Sequence, residues 1–99
     1  MSVDAPAAAV RPATLVDLDH LVALETLFPG DRLSRRSWRR LLTGDSAWVR
    51  VVPVPEGVSA NIVCLTRRNS PWWRIYSLVV APAFRGRGLA QTLIREAQK

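Results

Sequence analysis

The sequence predicts an α+β fold: a mainly antiparallel mixed sheet with helices packed on it. Three observations predict it. Two stretches in the first half carry helix-start chemistry, and two valine- and isoleucine-rich runs are separated by a proline–glycine turn. A third apolar run then leads through a glycine–arginine segment into an amphipathic stretch.

At 99 residues and 48% hydrophobic content the chain suits one small domain and is too short for two. Residues 1–8 read as a small-residue tail without periodicity, expected to fray. Val10-Arg11 suits a short first strand. Thr14-Leu15-Val16-Asp17 has the form of a capping box, so a helix is expected from Thr14 toward Leu27, burying Leu15, Leu18, Leu21, Val22 and Leu24. Pro29 and Gly30 break it. A second helix is expected from Ser34, with Leu33 and Trp38 placed as a hydrophobic staple and Gly44 as its end. Arg35, Arg36, Arg39 and Arg40 fall around it and are read as a basic, solvated face in preference to an RNA-contacting patch or part of an acceptor-binding wall.

Trp48–Val52 and Val58–Leu65 read as paired antiparallel strands, joined by Val54-Pro55-Glu56-Gly57 with proline second and glycine fourth in the turn. Pro53 predicts an edge or a bulge at the end of the first strand. Another turn is expected over Arg67–Pro71, and Trp48, Trp72 and Trp73 are expected to pack on the sheet and core. The run Ile75–Val80, closed by Ala81-Pro82, is a strand by its β-branched and aromatic content. Leu89, Ala90, Leu93, Ile94 and Ala97 recur at helical spacing.

Between that strand and that helix lies Arg85-Gly86-Arg87-Gly88-Leu89-Ala90. The first amides of a helix lack intrahelical acceptors and its dipole is positive there, so a phosphate group suits the turn. Glycines allow close backbone approach, and the arginines add charge-assisted hydrogen bonds. No Gly-Lys-Ser/Thr of a Walker loop is present, and Gln91 stands where a dinucleotide fingerprint needs glycine or alanine.

A formal charge of +6 fits an anionic ligand or simply arginine-rich composition; a nucleic-acid partner is disfavoured. The single Cys64 precludes an internal disulfide and, inside a strand-like run, reads as structural. No run of 18 apolar residues and no signal-like leader is present, so a soluble, cytoplasmic protein with no membrane partner is expected. The sequence shows no zinc-ligand spacing, and His20, a lone histidine on a helix, reads as a surface or packing residue.

Leu78-Val79-Val80-Ala81-Pro82-Ala83-Phe84-Arg85-Gly86-Arg87-Gly88-Leu89-Ala90 resembles the acetyl-CoA motif of the GNAT N-acetyltransferases. That loop reads Gln/Arg-x-x-Gly-x-Gly/Ala, matched by Arg85, Gly88 and Ala90. Val10–Thr14 and Leu27-Phe28-Pro29 are similar to the RimI-like branch, whereas Ala60-Asn61 departs from the glycine and aromatic that relatives carry there. The resemblance implies a partial GNAT fold over residues 9–99, the N-terminal part of the domain, ending after the phosphate-loop helix. It implies acetyl-CoA as co-substrate and transfer of acetyl to a primary amine, such as a protein N-terminal amine. Backbone groups of Leu78, Val79 and Val80 would hold the pantetheine arm, and Arg85, Gly86, Arg87, Gly88, Leu89, Ala90 and Gln91 the pyrophosphate. The resemblance leaves the catalytic base and acid unassigned: relatives carry them after this helix, and neither Glu25 nor Tyr76 is singled out. A non-catalytic CoA-binding module and a basic RNA-binding domain are the alternatives. Without a return strand, Ile75–Val80 would keep an open side, which predicts self-association.

Overall fold

The computed structural model describes residues 10–28, 30, 33–66 and 73–98. The expected tail, the Arg67–Pro71 turn and Trp72 lie outside these residues. The elements run β1 (Arg11–Pro12), α1 (Leu18–Glu25), α2 (Arg35–Thr43), β2 (Ala47–Val54), β3 (Gly57–Thr66), β4 (Trp73–Val80) and α3 (Leu89–Ala97). The strands form one sheet in the order β1-β2-β3-β4, with every pairing antiparallel. No helix among the described residues is long and apolar enough to cross a membrane.

The first helix departs from the sequence reading at its start. Thr14 caps it, and the capping box with Asp17 is formed, but the first turn over Leu15–Asp17 is a 3-10 turn and α1 proper begins at Leu18. The tighter turn changes the angular phase of its side chains. Leu15 is therefore not buried with Leu18 and Leu21 but 48% exposed. The helix also stops at Glu25, with Thr26 as its C-cap, before Leu27 is reached. At α2 the reading holds: Ser34 accepts from the Ser37 amide, Gly44 ends the helix, and Leu33 and Trp38 join one cluster.

β2 and β3 pair from Ala47 opposite Leu65 to Val54 opposite Gly57, with the register shift between Val52 and Pro53 that the proline predicted. The ring of His20 packs against this hairpin, so close that a Cβ at Gly57 would sit 2.5 Å from its Nδ1. β4 starts at Trp73, two residues before the expected Ile75, and slips register against β3 between Val63 and Cys64. Its first half is exposed on both faces: Trp73, against expectation, is 40% exposed, and Ile75 and Tyr76 lie open beside it.

The sheet has a hydrophobic layer on each face. On one, Leu18, Leu21 and Trp38 of the first two helices pack on Val49, Val51 and Val63. On the other, Leu89, Leu93 and Ala97 of α3 pack on Val52, Ala60, Ile62 and Cys64. Each buried leucine, isoleucine or valine in these layers is worth roughly 1.5–3 kcal/mol relative to exposure. Burial, the first cause, raises the pKa of the Cys64 thiol, opposed by the charge of Arg50. That supports the structural role and not a nucleophilic one.

The entry to α1 is held by charge. Asp17, 2% exposed, accepts from both terminal nitrogens of Arg11 at 2.8 Å and from the Thr14 amide at 2.8 Å. The Arg11 hydrogen bonds, outweighing desolvation, lower the Asp17 pKa, and the Thr14 amide adds to this. A depressed folded-state pKa means that this stabilisation is complete above the unfolded aspartate value of about 3.9 and is lost as pH falls through the lower folded value. Asp17→Ala is expected to cost about 2 kcal/mol at pH 7, allowing for the half-exposed Arg11. Urea unfolding at pH 7 and pH 3 checks this: the wild type should lose more stability between the two than the variant.

Candidate functional site

The phase of the β3–β4 ladder decides which backbone groups of β4 are available. The Ala81 amide donates to the Ser59 carbonyl at 2.8 Å, and in an antiparallel ladder such hydrogen-bonded pairs recur at every second residue. Val79 stands opposite Asn61 and Val80 opposite Ala60. The backbone groups of Val79 are therefore spent on Asn61, whereas those of Leu78 and Val80 point away from β3. β4 is the outermost strand on that side among the described residues, so these N–H and C=O groups line an open edge. Arg85 agrees with this phase, because its Nε donates to the Val80 carbonyl at 3.4 Å.

Against the edge lies a cavity of about 370 Å³, walled by Ser77–Val80, by Glu25 and Phe28 at the end of α1, and by Arg85. The chain leaves β4 through Ala81 and a 3-10 turn over Pro82–Phe84. It then passes Gly86 and Gly88 at φ 83° and 75°, a left-handed backbone that other residues adopt only at a cost. A Cβ added at either glycine would meet nothing within 4 Å. What glycine supplies here is the backbone angle, together with open space on the solvent side.

Gly88 is the N-cap of α3 and has no side chain to accept from the helix's first amides. Its carbonyl already takes the Thr92 amide at 3.0 Å and the Thr92 hydroxyl at 2.9 Å. The amides of the first turn, from Leu89 to Gln91, thus remain available to an anion, reinforced by the helix dipole. Two guanidiniums flank the loop, each over an aromatic ring: Arg85 at 5.5 Å from the Phe28 centroid and Arg87 at 5.1 Å from that of Phe84.

Of the residues named from the sequence, Leu78, Val79, Val80 and Arg85 line this cavity, and Gly86 to Gln91 follow Arg85 in the loop and the first turn of α3, with different parts of each exposed. Leu78 and Val80 offer backbone, and Val79 lines the cavity from the α1 side of the sheet. Leu89 is buried in the α3 layer, so only its amide can serve a ligand. Arg85, Gly86, Arg87, Gly88 and Gln91 are exposed, and Ala90 is half-buried. Sequence reasoning missed Glu25 and Phe28 as cavity walls. The adjoining Leu27-Phe28-Pro29 was the signal for them, but only the folded end of α1 shows that it meets β4. Tyr76 does not line the cavity.

Among the described residues no group of three metal-capable side chains occurs. No curated protein sequence matches the chain. Solved structures share the fold. The ribosomal-protein-S18-alanine N-acetyltransferase from Escherichia coli superposes with a TM-score of 0.74 at 12% identity over 89% of this chain and 55% of that one. The aminoglycoside 6'-N-acetyltransferase AAC(6')-IG from Acinetobacter haemolyticus gives 0.73 at 24% identity over 90% and 68%. Arabidopsis thaliana NAA60 in complex with acetyl-CoA gives 0.72 at 20% identity over 89% and 64%. The chain thus spans little more than half of the first of these proteins. The Acetyltransferase (GNAT) family model matches residues 18–99, from the first residue of α1 through the glycine loop and α3, and the chain belongs to that family.

Proposed function

We propose that the chain carries the acetyl-CoA site of an N-acetyltransferase that acetylates a primary amine. One observation carries this reading: the open backbone of Leu78 and Val80 continues into a loop whose Gly86 and Gly88 turn the uncapped amides of α3 toward solvent. An extended arm bearing amides suits the first part, adding to the sheet as a strand would, and a pyrophosphate suits the second. Acetyl-CoA has both, in that order from its thioester.

The residues act by positioning and by charge. The N–H groups of Leu78 and Val80 are the donors free to bind carbonyl oxygens of the arm or of the thioester. The amides from Gly86 to Gln91, with Arg85 and Arg87, hold the diphosphate. The acceptor nitrogen then bonds to the thioester carbonyl carbon as the carbon–sulfur bond breaks. The amine gives up one proton and the departing sulfur takes one. The attacking amine must be neutral, which favours an α-amine of pKa about 7.7–8.0 over a lysine near 10.4. A protein N-terminal amine in a reducing cytoplasm, where a lone buried cysteine needs no disulfide, is the acceptor and setting this supports. Residues 9–99 would then supply the cofactor-binding, N-terminal part of the domain.

Calorimetric titration of CoA into the folded chain tests the reading. Saturable binding that pantetheine lacking the nucleotide loses in large part is expected; absence of CoA binding overturns it. The same open edge, with Trp73, Ile75 and Tyr76 exposed along it, supports self-association of this chain. Sedimentation velocity should show mass rising with concentration, and a monomer at every concentration counts against it.

A further inference from the structure

Glu25 is held by two neutral donors. Its Oε1 accepts two hydrogen bonds, from the Leu33 amide at 3.1 Å and from the indole Nε1 of Trp38 at 2.7 Å. Trp38 is 1% exposed, and a buried indole N–H without an acceptor is costly, so this bond fixes the carboxylate in place. Both donors are neutral, and the ion pairs formed among the described residues do not include this carboxylate. Oε2 receives no hydrogen bond from the described residues. Arg35, the first residue of α2, pairs with Asp19.

This carboxylate walls the cavity at the β4 edge. Of the described residues lining it, Glu25 is the one acid and Arg85 the one base. Arg85 lies toward the glycine loop, in contact with the Val80 carbonyl and the Phe28 ring. The cavity is therefore lined by one charge of each sign. Ser77 and the open edge of Leu78 and Val80 lie on its β4 wall. An anion suits Arg85, and a compact cation with several N–H donors suits Glu25.

We propose that Glu25 is the acceptor-binding residue, receiving the primary ammonium of the amine substrate on Oε2 while Oε1 stays tied to Trp38 and Leu33. The assignment rests on the acetyltransferase reading for the identity of the cation. Its physical content, an ammonium site at the end of α1, stands without it. Glu25 binds the protonated amine and does not deprotonate it: a carboxylate beside an ammonium favours the charged form, so the proton leaves to another group before transfer.

Glu25→Gln separates this role from a structural one. The amide oxygen of glutamine still accepts from Trp38 and Leu33, so the tie between α1 and α2 persists while the charge is gone. The probe is ethylammonium chloride, followed by the indole N–H resonance of Trp38, whose partner is the carboxylate itself. Tetramethylammonium chloride at equal ionic strength is the control, a cation with no N–H donors. A saturable shift with ethylammonium alone is expected in the wild type, and about a tenfold or greater loss of apparent affinity in a folded Glu25→Gln. No response in the wild type, an equal response to both cations, or an unchanged response in Glu25→Gln overturns the assignment. A CoA titration of the same samples reports separately on the acetyltransferase reading. If CoA fails to bind while the ammonium response is present, that reading falls and the cation site remains.

Discussion

Trp38→Ala is expected to destabilise the chain by about 3–5 kcal/mol, a large share of the roughly 5–15 kcal/mol that holds a small domain together. The indole is 1% exposed and lies in the layer formed by Leu18, Leu21, Val49, Val51 and Val63. Truncation opens a cavity between α2 and the sheet and also strands the Glu25 carboxylate, which loses the shorter of its two hydrogen bonds. Trp38→Phe separates the two contributions, since it keeps most of the packing and removes only the N–H donor. About 1–2 kcal/mol is expected for that variant. Urea unfolding followed by far-ultraviolet circular dichroism measures both. Equal losses for alanine and phenylalanine would show that the hydrogen bond, and not the ring, holds α2.

Gly88→Glu is expected to weaken CoA binding by about 100-fold, ~2.8 kcal/mol at 1.4 kcal/mol per decade. The carboxylate would compete for the α3 amides that the diphosphate needs and repel its charge. The positive φ of Gly88 complicates the variant, because glutamate there strains the backbone by about 1–2 kcal/mol. A negative charge at the helix start returns some 0.3–1 kcal/mol. Gly88→Asn is the control, since asparagine tolerates the left-handed region and carries no charge. Arg87→Ala should cost least, about 0–1 kcal/mol, for an exposed charge with the amides intact. The expected order of affinity is wild type, Arg87→Ala, Gly88→Asn, Gly88→Glu by calorimetry on folded samples. Equal affinity of wild type and folded Gly88→Glu would remove the loop from the site.

Local chemistry is legible in the sequence wherever one short segment decides the outcome. Thr14 and Asp17, Ser34 with Leu33 and Trp38, Pro53 and the strand–loop–helix of the last quarter each act within a few residues, and each forms where the sequence places it. The burial expected of Leu15 fails because a 3-10 turn and an α-turn share the same capping box and differ only in the angular phase of their side chains. The exposure of Trp73 depends on what lies beside β4, which no property of its own residues encodes. Asn61 shows the same limit: its alternation with Val63 puts it inside, yet its buried amide finds no partner among the described residues. The backbone part of the site is readable because amides and glycines act through local geometry. Glu25 is not, because its meaning comes from Trp38, 13 positions on, and from a cavity edge more than 50 positions away.

β3 serves both layers through alternate residues, with Ala60, Ile62 and Cys64 turned to α3 and Val63 turned to α1 and α2, and β2 beside it does the same with Val52 on one face and Val49 and Val51 on the other. The glycine loop and α3 stand on one side of that wall, and the Glu25 end of α1 stands on the other. On the proposed reading, α3 can be repacked to retune a nucleotide site while the packing of α1 and α2 on the other face is kept, with the contact of Arg85 on Phe28 as the point where the two sides meet. β3 itself has no such freedom. A change of size at Ile62 or Val63 is passed to the opposite layer through a shared backbone, so the centre of the sheet is where a revision of one face is felt on the other.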